Sequence, residues 1–331
     1  MSESVLLPLL ADGEFRSGQD LAEVLGISRT AVWKQMNKLS RETGVAIESV
    51  KGRGYRIAGG LDLLNSAVVE QAMQPAALAY LSNLNVVSAI DSTNLEAMRL
   101  AEQGAGSGLV VTAEQQSAGR GRRGRHWVSP YARNLYVSAL WQFDQGAAAL
   151  EGLSLAVGVA ASHALQAIGV PPVSLKWPND IVANGEKLGG ILIEMSGDTS
   201  GACQVVIGIG INVAMPQASG EHIDQSWTDV SSLWTAKGSG QDVPTRNAIL
   251  AALLSELLPL VANFESVGFA AWQDQWMTLD AFANVPVVID SGTSQVAGVA
   301  RGVDKRGALQ LETTTGITSV YGGEISLRAA Q

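Results

Sequence analysis

Residues 118–127 read Ala118-Gly119-Arg120-Gly121-Arg122-Arg123-Gly124-Arg125-His126-Trp127, with four arginines and three glycines in ten positions. Arginine is always charged and offers a planar fork of donors that matches phosphate and carboxylate oxygens. Glycine lets a backbone approach a ligand closely. The combination predicts a loop that closes over a small anionic ligand and supplies charge where charge develops. The competing reading is a basic tail that touches nucleic acid or only solvent. Basic tails sit at termini beside other charges, whereas this stretch is interior and runs through Trp127 toward an apolar strand. That position favours the ligand loop.

Around this loop lie 331 residues, enough for two or three domains. The chain is 47% hydrophobic and 16% charged, a globular composition with ample material for a core. Its formal net charge of −9 excludes a nucleic-acid polycation, so any DNA contact must come from a local patch. Cys203 is the one cysteine and sits in an apolar strand, so no internal disulfide forms and a packing role is expected. No apolar run approaches the ~18 residues of a membrane span, and no basic-then-apolar signal opens the chain. The expectation is a soluble, cytoplasmic protein without membrane contact.

The first sixty residues carry their own pattern. Ser4–Leu10 is a short helix candidate that contains Pro8. Ser17 caps a second helix bearing Leu21 and Leu25, and Gly26-Ile27-Ser28 makes a tight turn. Ser28 then caps a third helix, Arg29 to about Arg41, with Val32, Met36 and Leu39 on one stripe. Arg29, Thr30, Trp33, Lys34 and Asn37 fall largely off that stripe and are expected to be exposed. A strand (Val45–Val50), the turn Lys51-Gly52-Arg53-Gly54 and a second strand (Tyr55–Ile57) complete a wing with a basic tip. This is a winged helix-turn-helix. From Arg29 to Arg56 there are seven Lys or Arg against two Glu, a local excess of five positive charges in an acidic chain. Base contacts are expected from Ser28, Arg29, Thr30, Trp33, Lys34 and Asn37, and phosphate contacts from Lys51 and Arg53. The alternative is a small subdomain that binds protein or nothing.

Gly59-Gly60 begins a linker. From roughly Leu61 to Leu279, short apolar strands alternate with Ala-rich helices in an α/β pattern. Four polar stretches stand out. Asp91-Ser92-Thr93-Asn94 follows a strand and opens a helix, as a plain N-cap or as a polar ligand contact. Lys176-Trp177-Pro178-Asn179-Asp180 ends a strand in a turn, flanked by a cation and an acid. Lys187-Leu188-Gly189-Gly190 precedes a strand at Ile191–Met195, where the glycines make a bulge or admit a ligand. Gly208-Ile209-Gly210-Ile211-Asn212 puts two glycines in an apolar strand. No phosphate-binding P-loop or nucleophile elbow occurs. The Gly119, Gly121 and Gly124 spacing matches a dinucleotide fingerprint only by coincidence. His126, His163 and His222 lack zinc spacing, so no metal-ligating set is expected in the protein. From Ala283 onward, short strands and turns predict a small SH3-like β-barrel, read chiefly as a structural cap and ending in Tyr321-Gly322-Gly323-Glu324-Ile325-Ser326-Leu327-Arg328.

Taken in order, Asp91–Asn94, Gly119–Arg125, Lys176–Asp180, Lys187–Gly190 and Gly322–Leu327 closely resemble the motifs of bacterial biotin–protein ligases. The winged helix matches the bifunctional class, the biotin operon repressors. The resemblance covers essentially the whole chain. It implies an α+β, multidomain protein. Residues 1–60 would be the DNA-binding domain, 61–280 a mixed α/β catalytic domain like the class II aminoacyl-tRNA synthetases, and 281–331 the SH3-like domain.

The resemblance also implies a reaction. Biotin and Mg-ATP give biotinoyl-adenylate and pyrophosphate, and a lysine of a biotin carboxyl carrier protein of acetyl-CoA carboxylase then takes the biotinoyl group. Ser92, Thr93, Asn94, Gln116, Arg120, Gly121, Arg122, Trp127 and Lys187 correspond to biotin contacts. Arg122, Arg125, Lys176, Asn179, Asn212, Trp227 and Arg328 correspond to ATP or adenylate contacts. Lys187, Arg122, Lys176 and Asp180 are the catalytic set, with Lys187 near the biotin carboxylate and the α-phosphate. Two features depart from the family, the short Pro8-bearing arm and the undiagnostic segment 214–227. The two domains together imply a ligand-promoted homodimer on a palindromic operator. Rival readings are a biotin sensor without turnover, a ligase for lipoate or octanoate, and a ligase with a vestigial winged domain.

Overall fold

The structure, a computed structural model, describes residues 3–197, 201–221, 223–238, 240–290, 295–322 and 326–329. Helices α1 (Glu3–Leu10), α2 (Gly18–Leu25) and α3 (Arg29–Thr43) precede a hairpin of β1 (Glu48–Val50) and β2 (Gly54–Arg56). The caps are those read from sequence. Ser17 Oγ accepts the Asp20 N–H and Ser28 Oγ accepts the Ala31 N–H. Val32, Met36 and Leu39 are the buried face of α3, and they join Leu6, Leu10, Leu21 and Ile57 in one apolar cluster. Pro8 lies within α1 without displacing Leu7 or Leu10 from that core. Tyr131 and Ala132 of the central body complete the same cluster, so the winged unit is packed onto the body.

The body continues with α4 (Ser66–Ala72), α5 (Pro75–Leu78), β3 (Asn83–Val87), α6 (Thr93–Glu102), β4 (Leu109–Ala113), β5 (Leu135–Phe143) and α7 (Leu153–Ala167). Then come β6 (Ser174–Lys176), β7 (Asp180–Ala183), β8 (Glu186–Gly197), β9 (Cys203–Ile211), α8 (Gln217–Gly220), α9 (Val230–Lys237), α10 (Arg246–Val267) and α11 (Gln273–Leu279). The seven strands order as β3-β4-β5-β9-β8-β7-β6. Only β3 and β4 pair in parallel, because hairpin-type connections join β6, β7, β8 and β9. Alternation along the strands sorts the two faces. Val110 and Val137 meet the α7 and α10 side, while Val111 and Leu140 meet Ala97 and Ala101 of α6.

Two expectations change here. Helix α10 is 22 residues long with mean hydropathy 1.6, which by length and composition suffices to cross a membrane. Its apolar window is two-thirds buried inside the protein and belongs to the core. The second change concerns Lys187 and Gly189-Gly190, which lie inside β8 rather than before it, because pairing with β7 starts that strand at Glu186.

The last unit comprises β10 (Pro286–Asp290), β11 (Gln295–Val303), β12 (Leu309–Thr313), β13 (Gly316–Val320) and β14 (Ser326–Ala329). They form a five-stranded antiparallel sheet, ordered β13-β12-β11-β10-β14. Among the described residues no ladder joins its two edges, so the architecture is stated as a sheet. The turns at Ser291-Gly292 and Gly323-Glu324-Ile325 lie outside the described residues. Leu309, Leu311 and Leu327 join the main core, and Trp177 Nε1 donates to Gly307 O at 3.1 Å across the junction.

Candidate active site

One cleft of about 760 Å³ collects the arginine loop, the start of α6, the β6–β7 turn, β8, β9 and β14. Each wall follows from local sequence. Ser92 is the N-cap of α6, yet its side chain does not cap the helix and it lines the cleft instead. Thr93 N–H donates to Gln116 Oε1 at 2.9 Å, Gln116 Nε2 donates to Ser129 Oγ at 3.1 Å, and Ser129 donates to Trp127 O at 2.9 Å. Side-chain amides and hydroxyls are thereby held at fixed angles on one wall of the cleft, the few placed polar groups that orient a small molecule.

The arginine loop is a tight hairpin. Gly121 N–H donates to Arg125 O at 2.8 Å, and Arg120 bridges His126. Arg122 sends Nη1 to Asn179 Oδ1 at 2.9 Å, while Asn179 Nδ2 donates to Ile191 O at 2.8 Å. Arg120 forms an ion pair with Glu194 of β8. Arg120 is therefore moored to β8 directly and Arg122 through Asn179, and Arg125 lines the cleft.

Lys187 sits at the charged centre. Its Nζ lies 2.7 Å from Asp180 Oδ1 and 5.5 Å from the centroid of the Trp127 ring, a salt bridge and a cation–π contact. Gly210 makes the packing possible. A Cβ built there would stand 2.5 Å from the Trp127 indole. Burial pulls the Lys176 ammonium below the usual lysine value; Asp180 opposes the shift, and Lys187, Arg328 and Arg125 add to it. Four cations, Lys176, Lys187, Arg125 and Arg328, thus gather near Asp180, an arrangement suited to a polyanionic ligand. Among the described residues no group of three or more His, Cys, Asp or Glu is placed to hold a metal ion.

The winged unit presents a separate polar surface. Trp33, Lys34 and Asn37 are exposed on α3, as are Arg29 and Thr30 at its start and Lys51 and Arg53 at the wing tip. Ser28 is exposed and occupied as the α3 cap. Arg53 Cζ stacks 4.0 Å from the Phe15 ring, which holds the wing against the helices.

Comparison with known proteins assigns the three units. Residues 3–56 match the HTH domain model, residues 86–212 the Biotin/lipoate A/B protein ligase family, and residues 284–328 the Biotin protein ligase C terminal domain. The Escherichia coli (strain K12) Bifunctional ligase/repressor BirA is 41% identical over 98% of this chain and 97% of its own length. The chain belongs to the bifunctional ligase/repressor family. A Paracoccus denitrificans Biotin--[acetyl-CoA-carboxylase] ligase is 34% identical over 71% of this chain and 96% of its own length. The solved structure of the Aquifex aeolicus biotin protein ligase in complex with biotin and ATP aligns with a TM-score of 0.63 at 30% identity, over 76% of this chain and all of that one.

In this ligase/repressor chain, Ser92, Thr93, Asn94, Gln116, Arg120, Gly121, Arg122, Arg125, Trp127, Lys176, Asn179, Asp180, Lys187 and Arg328 all border the cleft. Arg328 and Leu327 come from β14, so the C-terminal sheet contributes to the wall as well as capping the body. Asn212 and Trp227 do not border it. Asn212 is buried and donates to Thr228 O at 3.0 Å, which braces the backbone of Lys187 from behind. Trp227 pairs with Lys187 as an isolated bridge and packs its indole over Gly220, because a strand-like strip at 226–228 runs beside β8. It faces a second, open hollow. His222 lies outside the described residues. Sequence reading also missed Glu194 and Ser138. The only signal for either was a lone polar residue inside an apolar strand.

Proposed function

We propose that this chain joins biotin to ATP as biotinoyl-5'-AMP, transfers the biotinoyl group to a carrier lysine, and represses transcription when ligand is bound. The observation that carries the reading is the convergence of the arginine loop, Lys176, Lys187 and Arg328 on one cleft floored by Ser92, Thr93 and Gln116. A sensor that performs no chemistry has no use for so many phosphate-matched cations.

In the first step a biotin carboxylate oxygen attacks the α-phosphorus, and the bond to pyrophosphate breaks. Lys187 stands where negative charge grows, a placement that lowers such a barrier by a few kcal/mol. Arg120 and Arg122 hold phosphate and carboxylate oxygens, and loop closure keeps water from the mixed anhydride. Lys176 and Arg125 take the remaining phosphate charge, Asn179 meets adenine, and Arg328 reaches the nucleotide. Asp180, salt-bridged to Lys187, would be the carboxylate for a Mg2+ accompanying the ATP phosphates, whose charge such an ion would offset. In the second step the carrier amine attacks the acyl carbonyl and AMP leaves. The amine loses its proton as the amide forms. Asp180 is the acceptor at hand.

The units divide at residues 1–60, 61–280 and 281–331. The winged unit places α3 in a major groove and its wing on phosphates. Ligand-ordered loops favour a homodimer with two recognition helices on a palindrome, and an operator places the work in the cytoplasm. The test is biotin transfer to a purified biotin carboxyl carrier domain with Mg-ATP, read by intact-protein mass. A biotin-sized gain establishes the ligase. Tight biotin binding without transfer would leave the sensor, and transfer of lipoate or octanoate in competition would reassign the acid.

A further inference from the structure

Helix α3 carries a large aromatic side chain on its open face. Trp33 keeps 55% of its surface exposed. It stands at the middle of that face, one turn after Arg29 and Thr30 and one turn before Asn37. The core does not need the indole, because Val32, Met36 and Leu39 supply the buried side of the helix. Among the described residues of the winged unit, Val24 and Val50 are also exposed, but they stand on α2 and β1 rather than on α3.

The groups around Trp33 are cations or polar side chains already engaged. Ser28 Oγ accepts the Ala31 N–H as the α3 cap, and Asn37 Nδ2 donates to Trp33 O at 3.0 Å, so its amide lies along its own helix. Arg29 stands one turn before the indole and Lys34 beside it in the chain, with Lys51 and Arg53 exposed at the wing tip. This charge, in an acidic chain, matches a polyanionic partner rather than an ordinary protein surface. On a duplex the cations meet phosphates, which position the protein but carry no sequence. The indole at the centre of the face is left to meet base edges. Those edges are polar throughout the major groove except at one group, the thymine 5-methyl. An indole covers such a group with a large apolar area and only two rotatable bonds to fix.

We propose that Trp33 is a specificity-determining residue that reads a thymine methyl in each half of the operator. The inference rests on the reading above that places α3 in a major groove. Its test uses the full chain with biotin and Mg-ATP, and a duplex that this chain selects from a random-sequence pool. Fluorescence anisotropy gives the affinity of wild type and Trp33→Ala for that duplex and for versions with uracil at one matched thymine position of both halves. Uracil keeps every hydrogen-bonding group of thymine and removes only the methyl.

For wild type, uracil at one matched position should cost about fifteenfold, the product of about fourfold for each of two methyl-sized apolar groups uncovered. Trp33→Ala should bind the thymine duplex more weakly by at least that factor and should bind its thymine and uracil forms equally. Its melting temperature and the salt dependence of its binding should stay at wild-type values, since no core contact and no phosphate contact is removed. Wild-type affinity that stays within about twofold for uracil at every position, well short of one methyl's worth, overturns the inference. So does a Trp33→Ala chain that keeps the wild-type preference for thymine. A wild-type chain that enriches no duplex instead removes the DNA reading itself, and the inference with it.

Discussion

Replacing Arg246 with Met should be among the most costly single changes in the protein. Arg246 and Glu114 are almost wholly buried and meet at 2.5 Å. The guanidinium also donates to Asp62 O at 2.7 Å and to Asn134 O at 2.9 Å, while Glu114 Oε1 accepts the Leu64 N–H at 2.6 Å. One node therefore ties the segment after the winged unit, the end of β4, the start of β5 and the start of α10. Arg246→Met keeps the volume but leaves the Glu114 carboxylate buried without its counter-charge. Breaking a buried pair in this way costs about 3–5 kcal/mol. At about 2–4 °C per kcal/mol for units of this size, the melting temperature should drop by roughly 6–20 °C. Thermal unfolding by circular dichroism and urea unfolding by tryptophan fluorescence read the effect. The double change Arg246→Met with Glu114→Leu removes both charges and should be no less stable than Arg246→Met alone. A single-variant loss below about 1 kcal/mol, the ordinary cost of an unremarkable substitution, or a double variant as unstable as the two singles summed, would refute the reasoning.

Three further outcomes follow from the site and the wing. Lys187→Ala should slow single-turnover adenylate formation by about 10²–10³-fold, as for loss of one preorganised charge donor; a loss under tenfold in pyrophosphate release removes its proposed role. Lys176 holds phosphate only while protonated, and its pKa lies below the usual 10.5. ATP affinity should therefore fall as pH rises through that lowered value, and Lys176→Arg, which stays charged, should flatten the profile; identical profiles would sink the assignment. Arg53→Ala at the wing should lower the slope of log affinity against log salt by about one for any duplex. An unchanged slope in fluorescence anisotropy places Arg53 off the phosphates.

Local rules made much of this molecule legible. Ser17 and Ser28 cap as their positions predict because capping needs only residues three apart. The buried stripe of α3 follows from helical spacing in the same way. Among motifs, Lys176, Asp180 and Lys187 border one cleft. Short elements were less readable. Helices α4, α9 and α11 each span eight residues or fewer, too short to display an apolar period. Strand β7 went unread because Asp180, at its first position, resembles the end of a Pro-Asn-Asp turn. The sheet was read as α/β from alternation alone, although pairing order, which makes it mostly antiparallel, depends on contacts far apart in the chain.

The residues whose roles shifted share one physical cause: a polar side chain inside an apolar strand has two faces to choose between, and the sequence names neither partner. Asn212 follows two glycines and so looks ligand-facing, yet its amide is spent on Thr228 O and Lys187 O. Its service to the cleft is to fix the backbone that carries Lys187. Glu194 sits among apolar neighbours on β8 and is half-buried. Its partners arise from α6 and from the arginine loop, about 100 and 74 residues away along the chain. One carboxylate thus ties the arginine loop to the first turn of α6, a link between segments that no local pattern in the chain announces.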